Sequence, residues 1–549
     1  MCDTSSAHRP CCRFRASRQK DNPSLRLAAG DQLIPGLRMS ARTHAAAVSA
    51  ATVGIRRTTV SRTALDLALL VGAGAAIRLA VYLLLPNVVW LDEIYQVMEP
   101  AHRLVFGTGV MPWEWQVGIR SWLFPGIVAA LMWLGRWLGP DPRLINLPVG
   151  LFMVAAACIP VGCGYFWGER WFGRPGGLVV GAVLALWVDL VYLAPHTFNE
   201  VIAGDVLAGA VYLALVDGER AGAMRLRAAG CLAGAAVALR FQLAPVVVVL
   251  AWAGCGGSTD RWRRYLAGAA LPLLLLGVLD WLTLGKPFQS VWLNFYLNAV
   301  RQISDDYGRR PWYFYPGLLA AIWGAAFPPI IALVAIGARR APGLLAVVGA
   351  ILLTHSLVAH KEYRFIYPAL PLLLTLAGLG TAELVRGLAT PRALPAGTAI
   401  AIALWAAVSL TIGHSAMFSV PWSRFRGAIS AFHAAATAPG LCGCAFYRKG
   451  VHASLGASAL PPQIPLYETD PGRLAREAAG FNLLVTKAGA PVPDKRFRRL
   501  ACFGGDFDPQ GRSQLSFCLW RRAGGCQPGI ATPQRATWPR RLGGTDYLR

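Results

Sequence analysis

The chain has 549 residues, of which 55% are hydrophobic and only 15% are charged. A soluble globular protein carries about 25% charged residues, so most of this chain must lie away from water. Its formal net charge is +25. A nucleic-acid-binding protein gathers such charge on one soluble face, whereas these basic residues form short clusters between apolar runs, as in cytoplasmic loops of membrane proteins. The composition therefore predicts a polytopic membrane protein with no nucleic-acid partner.

The opening segment, residues 1–62, is rich in Arg, Ser and Ala and poor in acidic residues. It lacks the apolar core that directly follows the basic start of a signal peptide. We predict either a disordered basic segment over 1–62 or a protein that begins at Met39.

The membrane domain is expected over residues 63–419, because a spanning helix needs about 20 mostly apolar residues. The clear candidate spans are 64–86, 144–167, 175–194, 201–216, 266–284, 312–338, 343–359, 365–385 and 394–418.

Two further apolar stretches need interpretation. Residues 228–255 carry Arg240 in their middle and have basic residues on both flanks. Both flanks are therefore cytoplasmic, and we predict a hairpin of two short helices with Arg240 at its turn. Counting residues 122–139 as a span would place most basic loops outside, so we predict a horizontal or re-entrant helix within a large outer loop, 87–143. About eleven spans result, with the N-terminus inside and the C-terminal tail outside.

This topology gathers the polar residues that need explanation onto one outer face. They are Asp92-Glu93, the 195–200 loop, Arg240, the 286–311 loop and His360-Lys361-Glu362.

Asp92 and Glu93 directly follow the first predicted span. A carboxylate at the membrane edge can act as a general base; alternatively, the pair caps the next helix. The rest of the loop alternates acids with aromatic residues, which suits sugar binding, although an interfacial aromatic belt would explain the Trp residues alone. The residues concerned are Glu99, His102, Trp113, Glu114 and Trp115.

A second constellation, His360-Lys361-Glu362-Tyr363-Arg364, lies between two apolar spans on the outer side. Basic clusters are disfavoured on that side. A lipid phosphate would explain them; the alternative is that these cations snorkel toward anionic headgroups.

The tail carries alternating apolar stretches at 481–485 and 515–519 and a helical signal near 471–479. These patterns predict short strands around a helix, hence a small extracytoplasmic α/β domain over 420–525, followed by a disordered basic tail over 526–549. Five cysteines lie in this region, so at least one stays free if the others form disulfides.

The sequence contains no Walker loop, GxSxG, HExxH, Rossmann or DxD motif in a suitable context.

The stretch Thr354-His355-Ser356-Leu357-Val358-Ala359-His360-Lys361-Glu362-Tyr363-Arg364-Phe365 is similar to the HKExRF signature of glycosyltransferase family 22. That family contains the Alg9-like and GPI-anchor mannosyltransferases, and this stretch most resembles the branch that adds the third GPI mannose. Further matches follow the family's order: Asp92-Glu93, Gln96, Glu99, Trp113-Glu114-Trp115, Arg120-Ser121, Asp280, Asn294-Phe295, Asn298, Tyr307-Gly308 and Pro311-Trp312. The chain has Arg240-Phe241-Gln242 where the family often has Arg-Pro-Thr.

The resemblance implies an all-α GT-C membrane fold and inverting transfer of mannose from a polyprenyl- or dolichyl-phosphate donor to a glycan or glycolipid. It implies no cofactor and does not decide whether a divalent metal is required. Asp92 would be the base and Glu93 would orient it. The donor phosphate would be held by His360, Lys361, Arg364 and Arg240, and the acceptor by Glu99, His102, Trp113, Glu114 and Trp115.

Two alternatives remain beside this reading. A lipid-donor transferase for a different sugar would use the same loops. A transporter would place ionisable residues at mid-membrane on broken helices, whereas here they lie in outer loops. The expected location is the inner membrane of a bacterium or the endoplasmic reticulum of a eukaryote.

Overall fold

The computed structural model describes residues 40–447, 454–504, 516–534 and 536–537, and side chains within them except at 40–61 and 536–537. The chain divides into two units, Met1–Ser61 and Arg62–Arg549, and the site lies in the second. Residues 1–39 of the segment predicted to be disordered lie outside the described residues. The backbone is helical from Ser40, as the Ala-rich sequence favours, and the disordered segment over 1–62 stays a prediction.

Helices dominate the second unit. The first is α1 (Ser40–Leu84), whose apolar part begins at Arg62. The others up to the hairpin are α2 (Glu99–Phe106), α3 (Trp113–Val117), α4 (Leu123–Gly135), α5 (Pro142–Ala156), α6 (Ile159–Leu186), α7 (Val188–Leu193), α8 (Asn199–Leu215), α9 (Ala223–Leu239) and α10 (Ala244–Cys255). After it come α11 (Thr259–Leu284), α12 (Gln289–Phe295), α13 (Phe314–Trp323), α14 (Phe327–Ala338), α15 (Pro342–Ser356), α16 (Leu370–Leu388), α17 (Leu394–Gly413), α18 (Ala416–Ser423), α19 (Arg426–Ala436) and α20 (Leu474–Glu477).

Six segments of the described residues are long and apolar enough to cross a membrane. They are Arg62–Leu84, Pro142–Leu186, Thr259–Leu284, Phe314–Ala338, Tyr363–Leu388 and Leu394–Gly413. Shorter apolar helices, α4, α10 and α15, lie between them. The all-α membrane domain is confirmed, while the count of about eleven spans and the tilt of α4 stay predictions.

The helical hairpin forms as predicted. Helix α9 ends before Arg240, whose backbone is extended, and a 3-10 turn then leads into α10. Gly230 lets α9 approach α11 closely, because a Cβ there would lie 1.9 Å from the Tyr265 carbonyl oxygen. Small residues at such contacts are typical of membrane helix pairs, and this packing fixes where the hairpin presents Arg240.

The tail forms a five-stranded sheet, in the order β3-β2-β4-β6-β5. Strands β2 (Cys444–Tyr447), β3 (Leu466–Thr469) and β4 (Leu483–Lys487) run parallel, whereas β5 (Phe497–Phe503) and β6 (Phe517–Arg522) are antiparallel additions. The predicted strands and the helix α20 are confirmed. Disulfides join Cys442 to Cys526 and Cys502 to Cys518, and Cys444 is free and buried.

The start of the tail predicted to be disordered is in fact fixed. Cys526 is held by its disulfide, and Pro533 forms a bridge to Tyr467. Strand β7 (Ala536–Thr537) then pairs in parallel with β1 (Met111–Pro112) of the first outer loop. A covalent link and backbone pairing thus override the disordered composition, and residues 538–549 lie outside the described residues.

Candidate functional site

Asp92 lies at the start of a π-helical turn, Glu93–Met98, that begins the first loop. Its side chain makes no capping hydrogen bond to that turn, which excludes the simple helix-cap alternative for Asp92. Instead its Oδ1 accepts a hydrogen bond from Gln96 and lies 3.1 Å from Arg364 Nη2. The Asp92 side chain keeps 30% exposure, so it remains accessible.

Glu93 is buried beside it and faces a different set of partners. Its Oε1 accepts the Val89 N–H at 2.9 Å, and its Oε2 lies 2.7 Å from His196 Nδ1. Thr197 Oγ1 also donates to the Glu93 carbonyl oxygen at 3.2 Å. These bonds tie the turn that carries Asp92 to the loop before α8, which supports an orienting role for Glu93.

Arg364 is the centre of the charged cluster. The guanidinium is buried and contacts three carboxylates: Glu362 at 2.6 Å, Asp92 at 3.1 Å and Glu200 at 3.6 Å. Aromatic rings cover it, with centroids 5.1–5.7 Å from the guanidinium carbon, at Phe198, Phe365 and Trp90. A desolvated arginine in this setting interacts strongly with anions, because little water screens it.

The hairpin turn brings Arg240 to the same cluster. Its Nη1 lies 2.8 Å from Glu200 Oε1, so the two arginines share this buried carboxylate. The guanidinium also lies 4.9 Å from the Phe365 ring centroid, and its Nε is buried with no hydrogen-bond partner among the described residues. The departure from the family sequence after Arg240 therefore does not displace its side chain from the site.

The loop before Arg364 supplies two more cationic groups. His360 Nδ1 donates to the Gly308 carbonyl oxygen at 3.0 Å, and Nε2 lies 3.2 Å from Glu362 Oε1. The bond to Glu362 raises the pKa of His360. Burial raises the pKa of Glu362, but its contacts with His360 and Arg364 outweigh burial and lower the pKa to about 2. His360 is thus favoured as the imidazolium.

Lys361 lies beside this pair and is largely buried. Its Nζ donates to the Arg310 carbonyl oxygen at 3.1 Å and to that of Val358. Burial lowers the pKa of Lys361. Backbone carbonyl oxygens compensate the charge of Lys361 only in part. The ammonium group could therefore also bind an anion.

Of the predicted acceptor residues, Glu114 is the one that the structure brings to the cluster. Its Oε1 accepts from Gln96 Nε2 at 3.1 Å and from Arg120 Nη2 at 3.1 Å. Gln96 also donates to Asp92, so one amide bridges the two carboxylates. Glu114 therefore belongs to the same polar network as Asp92.

The other predicted acceptor residues are buried outside this network, and their contact with the acceptor stays a prediction. Trp113 packs into an apolar cluster, and Trp115 stacks against Trp122 at 4.4 Å between ring centroids. His102 is buried, and its Nδ1 lies 2.6 Å from the Thr108 carbonyl oxygen. Glu99 is fully buried and accepts backbone N–H groups. Their side chains support the loop from inside.

The sequence predicts no role for Glu200, which joins Arg364 to Arg240, or for Glu362, which pairs with Arg364. Both lie in segments predicted to face the outer side, and Glu362 stands inside the matched signature. The arginine partners of Glu200 cannot be assigned from sequence alone, because Arg240 and Arg364 lie 40 and 164 positions away in the chain. His196 was missed for the same reason, since its partner Glu93 lies 103 positions away.

A partly buried tyrosine, Tyr363, and a buried one, Tyr367, fix the segment that carries Arg364. Tyr363 donates its hydroxyl to Asp189 Oδ1, and Tyr367 donates to Asp205 Oδ1 at 2.9 Å. Asp189 Oδ2 also accepts Nε1–H groups from Trp187 at 2.6 Å and from a second tryptophan, Trp323, at 2.8 Å. Buried polar groups satisfied in this way rigidify their surroundings.

The assembled site places a partly exposed carboxylate next to a dense group of cations, all within the polar end of the helices. Such an arrangement can accept a proton and stabilise a developing phosphate anion within a few ångströms. Among the described residues, no group of three or more His, Cys, Asp or Glu side chains is arranged to hold a metal ion.

The sequence of the chain matches the model of the Alg9-like mannosyltransferase family over residues 73–436. GPI mannosyltransferase 3 of Yarrowia lipolytica is 31% identical over 321 residues, which cover 54% of this chain and 59% of that protein. GPI alpha-1,2-mannosyltransferase 3 of Xenopus laevis is 24% identical over 329 residues, which cover 54% of this chain and 56% of that protein. The chain therefore spans less than two thirds of the length of these relatives.

Among solved structures, ArnT from Cupriavidus metallidurans bound to undecaprenyl phosphate matches with a TM-score of 0.56. The sequence identity is 13%, and the match covers 85% of this chain and 99% of that chain. At this identity the likeness establishes the fold alone, and it confirms the expected GT-C fold. Because the family match covers well over half of the residues, the chain belongs to the Alg9-like mannosyltransferase family.

Proposed function

We propose that the chain transfers mannose from a polyprenyl- or dolichyl-phosphate donor to a hydroxyl group of a glycan or glycolipid, with inversion at the anomeric carbon. The observation that carries this proposal is the 3.1 Å contact between Asp92 and Arg364. It places a candidate proton acceptor and a candidate phosphate ligand side by side. An inverting transfer needs a base beside the attacking hydroxyl and cations beside the leaving phosphate, on opposite sides of the anomeric carbon of one sugar.

In the proposed reaction, the acceptor oxygen forms a bond to the anomeric carbon of mannose while the bond from that carbon to the phosphate oxygen breaks. The phosphate leaves with the bonding electron pair, and the acceptor hydroxyl proton passes to Asp92. Glu93 keeps the turn of Asp92 in place through Val89 and His196. No nucleotide takes part in this scheme.

The leaving phosphate would be stabilised by the cations of the His360–Arg364 segment. In this structure Arg364 is paired with carboxylates. A donor phosphate would compete with Asp92 for Arg364, since both are anions and a phosphate also accepts bidentate hydrogen bonds. Donor binding would thereby free Asp92 to act as a base, while Lys361 and His360 share the new charge.

The names of the related proteins suggest the acceptor. They are GPI mannosyltransferase 3 and GPI alpha-1,2-mannosyltransferase 3, so we propose a mannose-bearing glycolipid as acceptor and an α-1,2 linkage in the product. Glu114 and Gln96, which lie beside Asp92, are the proposed contacts for the acceptor sugar.

The proposal is tested with the purified full chain in liposomes, supplied with radiolabelled polyprenyl-phosphate mannose and a mannose-terminated glycolipid. We expect label transfer, no transfer from GDP-mannose, and a product that an α-1,2-mannosidase cleaves. Turnover of a different lipid-phosphate sugar but not of mannose would favour the alternative sugar. Uptake of solute into the liposomes without transfer would instead indicate a transporter and overturn the proposal.

A further inference from the structure

The Glu99 carboxylate accepts three backbone hydrogen bonds, two from the C-terminal domain and one from its own loop. Its Oε2 accepts the N–H of Val110 at 2.7 Å and of Ala457 at 2.9 Å, and its Oε1 accepts the N–H of Ser458 at 2.7 Å. The side chain is fully buried. A buried carboxylate is costly unless such donors compensate it, so the loop and the domain depend on each other at this point.

The segment that binds Glu99 is shaped for a carboxylate. Gly456 has φ +82°, and a Cβ on it would lie 2.3 Å from Glu99 Oε1. Any other residue would therefore be strained in the backbone and would also push the carboxylate out. Consecutive N–H groups after such a residue form an anion-binding concavity, here filled by a side chain of the same protein.

A second bond of the same segment reaches the turn that begins at Asp92. Tyr95 Oη donates to the Ser454 carbonyl oxygen at 2.8 Å. Tyr95 lies in the π-helical turn and Glu99 begins α2 directly after it. Residues 454–458 therefore hold both the turn and the start of the following helix.

We propose that the C-terminal domain positions the candidate base, and that Glu99 is the positioning residue through which it acts. The proposal rests on the proposed function, because Asp92 is the base of that reaction. An acceptor contact of Glu99 is disfavoured, since a sugar hydroxyl would have to displace backbone donors from a buried group. This positioning role accounts for the hydrogen bonds between the C-terminal domain and the first outer loop.

The test compares Glu99→Gln and Gly456→Ala in the full chain, with Gly489→Ala as the matched control. Gly489 has φ +79° in the same domain but open space around its Cβ position. Polyprenyl-phosphate mannose is the donor probe, and hydrogen exchange of the amides of residues 92–98 is the second readout. Tyr95→Phe serves as a milder variant should either substitution prevent folding.

Glu99→Gln and Gly456→Ala are each expected to lower kcat on the order of 10²-fold, as small misplacements of a catalytic group do. The donor KM stays unchanged and amide exchange over 92–98 accelerates. The double variant falls no further than the worse single variant, because both changes remove one contact. Tyr95→Phe lowers kcat and accelerates exchange to a smaller extent, and Gly489→Ala changes neither quantity.

Unchanged amide exchange in Glu99→Gln, whatever the activity, would overturn the positioning role. A raised acceptor KM with unchanged exchange would show that Glu99 binds the acceptor instead. If the unmodified chain does not turn over lipid-phosphate mannose, the proposed function fails, while the exchange measurements still decide whether the domain holds the turn.

Discussion

Arg364 Nη2 lies 3.1 Å from Asp92 Oδ1, although 271 intervening positions separate the two residues along the sequence. The contact joins the first outer loop to the segment before α16. In the proposed reaction, this one buried guanidinium would hold the base before the donor binds and the donor phosphate afterwards. Single substitutions can separate these two roles.

Asp92→Asn keeps the size of the side chain and removes its basicity. A positioned general base contributes about 10²–10⁴-fold to the rate, so we expect kcat to fall by that factor while donor binding is retained. Glu93→Gln should be milder, because Glu93 only orients. Initial rates and donor binding measured on both variants check this; a dead Glu93→Gln beside an active Asp92→Asn would exchange the two roles.

Lys361→Ala removes an incompletely paired ammonium group from the proposed phosphate site. A hydrogen bond to a charged group is worth about 1.5–3 kcal/mol, which corresponds to about 10- to 150-fold in donor KM or kcat. Lys286→Ala is the control, since Lys286 is exposed in another loop of the same predicted face. Equal activity of the two variants would indicate that Lys361 contacts lipid headgroups and does not bind the donor phosphate.

The pH dependence should report on His360. Its pKa is raised by Glu362, so the favourable charge is fully present below about pH 6.5 and is lost as pH rises through the raised pKa. We expect kcat/KM for the donor to decline over that alkaline interval, and His360→Gln to abolish the decline. If the decline of kcat/KM at alkaline pH were the same in His360→Gln, it would be assigned to another titratable group.

Tyr363→Phe should destabilise the membrane domain. The change removes the hydroxyl donor to Asp189 and leaves one oxygen of a buried carboxylate unsatisfied, which costs about 1–3 kcal/mol. Thermal unfolding in detergent should show a lower Tm, whereas Tyr313→Phe, at an exposed position, should not. An unchanged Tm for Tyr363→Phe would mean that the Trp187 and Trp323 donors suffice.

The sidedness of the loops can be checked with cysteine labelling in intact cells. Arg263→Cys lies in a basic loop predicted to be cytoplasmic and should resist an impermeant thiol reagent, whereas Lys286→Cys should react. Both positions are exposed on the protein surface, so the membrane alone would cause the difference. Labelling only at Arg263→Cys would invert the predicted topology.

The sequence by itself determined the membrane class, the hairpin around Arg240 and both halves of the candidate site. Each depends on a local signal. The length of an apolar stretch indicates a membrane-spanning helix, and basic flanking residues indicate the cytoplasmic side. The 354–365 stretch is contiguous in the chain. Two strands of the tail, β4 and β6, were also readable, because period-two alternation is local.

Only the tertiary structure decided the surroundings of each carboxylate. Glu99 and Asp92 look alike in the sequence as loop acids, yet one is fully buried against N–H groups of Ala457 and Ser458, and the other stays accessible beside Arg364. The role of a carboxylate depends on which donors surround it and how much water remains. Those donors come from residues hundreds of positions away, and no local pattern encodes them.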